Sequence, residues 1–357
     1  YCRITFNEIS KKAVGEAINK PTKINMNLVN AQQARRVLDR LVGYQLSPIL
    51  CNKIGGKLSA GRVQSAALKI LVDREREIKS FVKEEYWTIT AFLNRLQDKC
   101  KPFGAVFFEF KGKKVKIDSK ERADKAMELM RQNDFIVTNV KRQQVSTHPA
   151  PPFTTSTLQQ EGVKKLGLSS ADVMKIAQQL YEGFDIEGQG HIALVTYIRT
   201  DSTRVSEEAI AKARETLRAR FGDKYVPSKP NYYKSKKGSQ DAHEAIRPIN
   251  LDLTPDMVKD KLARNQYRLY KLIYDKFLAS QAASAVYDSL NVVINSGDFA
   301  FKCGGKTQLF DGFLAVYNIT DKEDKDEGEE NQKLPNLAVG DKLVLKDLKG
   351  EQKFTKP

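Results

Sequence analysis

Tyr197 and Arg199 are the residues whose types and spacing first suggest chemistry. The run His191–Ile–Ala–Leu–Val–Thr–Tyr197–Ile–Arg199–Thr200–Asp201–Ser202–Thr203–Arg204 delivers one phenol and then one guanidinium into a polar turn. A tyrosine hydroxyl is a nucleophile once its proton is drawn off, and a neighbouring arginine can stabilise a phosphate. The same run also reads as a half-buried strand with its tyrosine on one face, followed by an Asp-Ser-Thr turn. In a strand, residues two apart project on the same side, so Arg199 would reach what Tyr197 reaches.

Three further constellations carry charge in a pattern. Arg35, Arg36, Asp39 and Arg40 fall on one predicted helix. Arg36 and Arg40 share a face at i, i+4, which suits phosphates spaced along a strand, and Arg35 and Asp39 can pair at the same spacing. A solvated, salt-bridged helix face has the same pattern. In Ser59–Ala–Gly61–Arg62–Val–Gln64–Ser65 the small residues permit close backbone approach, Ser59 can cap a helix, and Arg62 and Gln64 carry polar side chains outward. An ordinary capped helix start also fits. His243 and Arg247 are again i, i+4, on a helix predicted over Ala242–Arg247 that Pro248 would end. A histidine there can bind phosphate, relay a proton or sit satisfied in a core. The preceding loop, Tyr232–Tyr233–Lys234–Ser–Lys236–Lys237, can stack bases or lie on the surface.

These residues need elements to hold them. Helical periodicity covers 27–80, with Ala34, Val37, Leu38, Leu41 and Val42 on one face of the first helix and Leu68, Leu71, Val72 and Ile78 on the second. Alternating runs predict strands at Trp87–Phe92, Ala105–Phe108 and Phe135–Val140, interrupted by a helix over Glu121–Gln132. Pro149–Ala–Pro–Pro152 reads as a linker. Past it come helices at Ser156–Leu166 and Ser170–Gly183, the Tyr197 strand, a helix capped by Ser206, and a helix over Pro255–Ser280. Strands resume at Asp288–Ile294, Gly312–Tyr317 and Lys342–Leu345. Strands on both sides of a helical block predict a β-rich unit with a helical unit inserted into it. On composition alone, the Pro149–Pro152 and Ser280–Ser284 connections are the expected hinges.

Sixty Lys and Arg against 44 Asp and Glu leave +16, which favours a polyanionic partner. The excess is uneven: residues 1–85 hold 16 basic and 8 acidic residues, whereas 321–330 holds seven acids against two lysines and reads as a solvated loop. No apolar run approaches the roughly 20 residues of a membrane span, and no basic amphipathic segment carries aromatic anchors. Both point to nucleic acid over membrane. The four cysteines, Cys2, Cys51, Cys100 and Cys303, lie far apart with no Cys-x-x-Cys pair, so a structural zinc site is not expected and a reducing cytosol is.

Five segments taken together go further. They are Arg3–Ile–Thr–Phe6–Asn7–Glu8–Ile, the Ser59–Ser65 segment, Pro152–Phe–Thr–Thr–Ser156–Thr157–Leu–Gln159–Gln160–Glu161, the Tyr197 run, and Asp241–Ala–His243–Glu–Ala–Ile–Arg247–Pro248. In this order and at these separations they resemble the type IA DNA topoisomerases, specifically the bacterial topoisomerase I branch, and the resemblance runs through essentially the whole chain.

The resemblance implies a multidomain α+β clamp, here truncated. A helical DNA-binding domain carries a β-rich arch, and the arch carries an inserted tyrosine-bearing domain. The expected divisions are 1–23 (junction from a preceding TOPRIM domain), 24–83 (helical domain, first part), 84–155 (arch, first part), 156–283 (tyrosine domain), 284–353 (arch, return) and 354–357 (return to the helical domain). It implies ATP-independent relaxation of negatively supercoiled DNA through a 5′-phosphotyrosine intermediate, with Tyr197 as nucleophile and Arg199 beside it. Arg35, Arg36, Asp39, Ser59, Arg62, Gln64, Thr200, Asp201, Ser202, His243 and Arg247 would then contact DNA. The family's Mg²⁺ ligands belong to the preceding domain, so none is expected within this chain. An Asp-x-Asp-x-x-x-Glu spacing falls only within the acidic run, at Asp324–Lys–Asp326–Glu–Gly–Glu–Glu330, which reads as a solvated loop far from the other motifs. The expectation is a monomeric, cytoplasmic, nucleoid-associated fragment that binds single-stranded DNA and is inactive alone. Two alternatives stand beside it: a non-catalytic single-strand-binding module in which Tyr197 stacks on bases, and a topoisomerase III-type decatenase.

Overall fold

The computed structural model describes residues 1–6, 11–95, 101–186, 190–234, 243–317, 332 and 334–357. Asn7, Glu8, Cys100, Lys236, Lys237, Asp241, Ala242 and the acidic run 321–330 lie outside the described residues.

A short helix α1 (Lys11–Ile18) precedes α2 (Met26–Ile54) and α3 (Arg62–Ser80). Asn25 starts α2 by accepting from the backbone N–H groups of Asn27 and Leu28, and Gly55 ends it at φ +85°. Pro48 lies within α2 and withholds one backbone donor there. The apolar residues of these helices stay in solvent: Val37, Leu41 and Leu71 are each more than half exposed. Neither helix contains a buried residue among those described.

The β-rich unit follows: β1 (Glu85–Arg95), β2 (Phe103–Phe110), β3 (Lys113–Lys114), α4 (Lys120–Arg131) and β4 (Phe135–Thr147). Strands β7 (Ala285–Ser296), β8 (Phe299–Phe310) and β9 (Lys342–Phe354) complete it. All pair antiparallel in the order β1-β9-β4-β7-β8-β2-β3, and a further β1–β2 pairing closes six of the seven into a ring. Closure removes the open edges that would otherwise template aggregation. Ile89, Leu93, Phe135, Ile294 and Phe301 fill the core, joined by Ala123 and Met130 of α4. The far halves of β4 and β7 run on beyond this core as a ribbon that ends at the Thr147–Ala285 pair.

Between those two residues the chain builds a second, helical unit with its own core. It holds α5 (Thr155–Leu166), α6 (Ser170–Glu182), a small β5–β6 hairpin (Phe184–Ile186, Gly190–Ile192), α7 (Glu207–Phe221) and α8 (Arg264–Ser280). Local signals set the starts: Thr154 and Thr157 form a reciprocal capping box, and Ser169 and Ser206 cap α6 and α7. Gly162 of α5 lets α6 approach closely, since a β-carbon there would lie 2.6 Å from Val173. Tyr270, Tyr274 and Phe277 of α8 are fully buried at the centre.

Four predicted elements differ from what forms. The Tyr197 run is not a strand. Strand β6 stops at Ile192, and beyond it the backbone bonds to two places: Leu194 N–H to Leu180 O, and a single antiparallel bridge of Val195 with Pro248 made by Thr196 N–H to Arg247 O and Ile249 N–H to Leu194 O. Of the helix predicted at Ala242–Arg247, the described residues 243–247 are extended chain, because Ala245 N–H binds Arg204 O and Ile246 N–H binds Phe153 O. Residues 255–263 form turns and a short 3₁₀ segment, so α8 begins at Arg264. The predicted strand at Gly312–Tyr317 is a 3₁₀ turn over Gly312–Ala315. Gly312 is at φ +51° with a would-be β-carbon 2.5 Å from Ser284 O, and Phe313 N–H bonds Ala283 O. That turn therefore leaves the sheet and buries Phe313 and Tyr317 in the helical core.

Both expected hinge segments are bonded to the helical unit. The Tyr233 hydroxyl donates to Pro149 O (3.1 Å) and Ser280 O (2.7 Å), and Asn231 Nδ2 donates to Ser280 O and Ala282 O. Burial pushes the Tyr233 phenol well above the ordinary tyrosine range. Tyr233 is thus not available to stack bases. Tyr232 is exposed and donates to Glu207.

Candidate nucleic-acid cleavage site

Two extended segments lie side by side and form the site. Thr196 Oγ1 donates to Ala245 O (2.7 Å) and accepts from Arg247 N–H (3.0 Å), which locks the tyrosine run onto the His243–Pro248 run. The Tyr197 and His243 rings consequently meet at 4.6 Å between centroids, and Tyr181 of α6 approaches Tyr197 edge-on at 5.5 Å. These residues line a cavity of about 670 Å³ that also takes in Phe6, Thr196, Ser206, Glu244 and Arg247. Tyr197 is half-buried and lines the cavity.

Arg247 is almost enclosed. Its Nη2 donates to Glu244 Oε2 (2.7 Å) and its Nη1 to Pro248 O (3.0 Å), while its buried Nε finds no hydrogen-bond partner among the described residues. Glu244 also accepts from Ser206 N–H at 2.6 Å, so one carboxylate joins Arg247 to the start of α7.

Arg199 and Asp201 are exposed beyond Tyr197. Without a strand through Tyr197, alternation no longer assigns Arg199 to the tyrosine's side, and Arg199 is not among the residues lining the cavity. Thr200 and Ser202 are buried and hold the turn instead of facing outward. Thr200 O accepts from Thr155 N–H, Thr200 N–H donates to Thr155 Oγ1, and the Thr200 hydroxyl accepts from Ser202 N–H. Direct DNA contact by these two side chains would require the turn to open.

The remaining candidates gather on α2 and α3 around a second cavity, of about 920 Å³, lined by Arg35, Arg36, Asp39, Arg40 and Ser59. Arg62 Nε donates to Asp39 Oδ1 at 2.6 Å, whereas Arg35 reaches Asp39 only at 4.0 Å. The Arg62 hydrogen bond, opposed by slight burial and aided by the charges of Arg62 and Arg35, holds the Asp39 carboxyl below its ordinary range. Ser59 does not cap α3: Gly61 is the capping residue, and Ser59 Oγ donates to Gln64 Oε1 at 3.5 Å. The two cavities share no lining residue. A divalent metal takes several oxygen ligands. No group of three His, Cys, Asp or Glu side chains is placed to hold one among the described residues.

Sequence reasoning passed over Tyr181, Glu244 and Thr196. Glu244 and Thr196 lie inside motifs already quoted, and the signal for Glu244 was a carboxylate three residues before a candidate arginine. Nothing in the amphipathic pattern of α6 distinguishes Tyr181 from a core residue.

A ring of antiparallel strands bearing an inserted helical unit is the architecture of a type IA topoisomerase fragment. A DNA topoisomerase family model matches residues 23–357, and the chain belongs to that family. It is similar to full-length topoisomerase I from Thermotoga maritima at 39% identity and a TM-score of 0.77. That match covers 99% of this chain and 55% of the Thermotoga chain, so this chain spans about half of that relative.

Proposed function

We propose that the chain supplies the nucleophile and part of the single-strand groove for relaxation of negatively supercoiled DNA. The Tyr197 phenol oxygen attacks a backbone phosphorus. The bond from phosphorus to the 3′ oxygen breaks, the phenol proton leaves, and the departing 3′ oxygen ends as a hydroxyl. The 5′ phosphate stays on the tyrosine. Because the ester retains the bond energy, attack by the same 3′ hydroxyl reseals the strand without ATP. His243, against the tyrosine ring, is placed to meet the phosphate or its proton, and Arg247 supplies positive charge from the cavity wall. The convergence of Tyr197, His243 and Arg247 on one cavity supports this reading above any other single observation.

Arg36 and Arg40, with the Arg62–Asp39 pair, serve as the phosphate-tracking face at the α2–α3 cavity. The Mg²⁺ dependence expected of the family would be met by residues outside this chain, and the chain alone binds single strands without cleaving them. It acts as a monomer on DNA in the cytoplasm.

The test is relaxation of a negatively supercoiled plasmid by this chain alone and by the chain joined to the metal-binding domain of a relative, each with Mg²⁺ and without ATP. Relaxation by the joined protein only is the expected result. Strand binding with no relaxation in either lane would favour a binding module in which Tyr197 stacks on bases. Efficient decatenation with poor relaxation would favour a topoisomerase III-type enzyme.

A further inference from the structure

We propose that Glu244 is a positioning residue that presents Arg247 to the phosphate attacked by Tyr197. The inference rests on the reading above that this cavity receives DNA. The Glu244 carboxylate is buried and divided between two partners: Oε1 takes Ser206 N–H at 2.6 Å and Oε2 takes Arg247 Nη2 at 2.7 Å. Ser206 is the cap of α7, and an anion at a helix start is favoured by the exposed backbone N–H groups and the helix dipole. Glu244 is therefore anchored on a rigid element and hands that rigidity to the guanidinium. Pro248 O fixes Nη1, and Ser206 Oγ lies 3.5 Å from Nη2.

A buried carboxylate beside a phosphate-binding cation opposes the phosphate by charge, so stronger attraction cannot be its role. What it supplies is geometry. A guanidinium has five N–H donors, and the contacts to Glu244, Ser206 and Pro248 hold its two Nη ends. One Nη1 N–H remains as a preset donor toward the cavity that Arg247 lines, while Nε is enclosed beyond the reach of a phosphate. Donors fixed in advance avoid reorganisation when charge develops on the phosphate, and a displacement of about 1 Å can lower a rate 10²-fold.

The experiment measures single-turnover adduct formation on a labelled oligonucleotide by the intact, cleavage-competent protein. It compares wild type, Glu244→Gln, Arg247→Ala and the double variant, with strand affinity followed separately by anisotropy. Glu244→Gln is expected to slow cleavage by roughly 10- to 100-fold, to change the dissociation constant by less than about threefold since most phosphate contacts persist, and to add nothing in the Arg247→Ala background. Glu244→Asp, which keeps the charge on a shorter arm, is expected to recover part of the rate. Independent, additive losses would show that Glu244 merely supports the fold, and a wild-type rate in Glu244→Gln would likewise overturn the proposal. Should Glu244→Gln not fold, the unaltered protein labelled with [¹⁵N]arginine decides. The Arg247 Nε–H signal, assigned by its loss in Arg247→Lys, is expected to exchange slowly and to shift when oligonucleotide binds. Exchange as fast as free arginine would refute a held guanidinium. Absence of any adduct in wild type would instead overturn the Tyr197 reading itself.

Discussion

Replacing Lys276 with methionine breaks a polar clasp between the post-β8 turn and the helical core. Lys276 Nζ donates to Glu161 Oε1 at 2.8 Å, Tyr317 donates to Glu161 Oε2, and the lysine also lies 4.9 Å from the Tyr317 ring centroid. The Lys276 side chain is 8% exposed and that of Glu161 24%. Removing one partner of a buried pair costs about 3–5 kcal/mol because the other charge is stranded. Glu161 keeps Tyr317 and Lys165 and some solvent, so the lower end, about 3 kcal/mol, applies here. For a unit of this size that lowers Tm by roughly 6–12 °C. The double variant Glu161→Gln/Lys276→Met removes both charges and should regain most of the loss, since replacing a pair is far milder than breaking it. Thermal melts at pH 7 give two local reporters. Trp87, the only tryptophan, packs on the sheet core, while near-UV tyrosine dichroism draws heavily on Tyr270, Tyr274 and Tyr317 of the helical core. The tyrosine transition should shift and the Trp87 fluorescence transition should shift less. A Lys276→Met tyrosine transition within about 2 °C of wild type, or a double variant no better than the single, would refute the reasoning.

Further outcomes follow from the same geometry. Burial by itself would raise the Glu161 carboxyl, but Lys276, Tyr317 and Lys165 outweigh it and hold it below its ordinary 4.5. Its contribution to stability is then present above pH 4.5 and lost as pH falls through the lower folded value, so Glu161→Gln should flatten the acid limb of a stability–pH curve. Tyr233→Phe strips the donor from Pro149 O and one of two donors from Ser280 O. A loss of about 1–2 kcal/mol in denaturant melts is expected, with faster hydrogen exchange in 149–152 and 280–284. Arg36→Ala/Arg40→Ala should weaken single-strand binding and reduce the slope of log affinity against log salt by about 1.4, at about 0.7 for each of two phosphates. An unchanged slope would remove α2 from the groove.

The sequence made the helical unit legible where the signals were local. Ser206 announced α7, and the starts read at Ser156 and Ser170 stand within one residue of those of α5 and α6, where the structure adds Thr154 and Ser169 as the caps. Strands β1, β2, β4, β7 and β9 were found but shortened, because β4 and β7 run past their apolar stretches into a ribbon paired over Lys141–Thr147 and Ala285–Asn291, whereas β3 and β8 were missed. The site itself was legible as residues but not as shape. Ile192, Leu194, Val195 and Ile198 look like a strand because they are apolar, yet they are apolar because they thread the helical core, bonded to Leu180 and Arg247. His243 and Arg247 came together for a reason other than helical spacing, namely that Phe153, Thr196 and Arg204 take up the backbone groups between them. Partners that distant in sequence leave no local pattern. The same holds for Gly312–Tyr317, whose apolar residues serve the helical core and not the sheet they follow.

The most direct test of the central claim is chemical. The chain joined to a family metal-binding domain is incubated with Mg²⁺ and oligonucleotides labelled at either end, then quenched with denaturant and digested. Mass spectrometry should find the 5′ phosphate of the cleaved strand on the peptide containing Tyr197, with no adduct in Tyr197→Phe or in the chain alone. An adduct that persists in Tyr197→Phe, or that maps to another residue, would contradict the account.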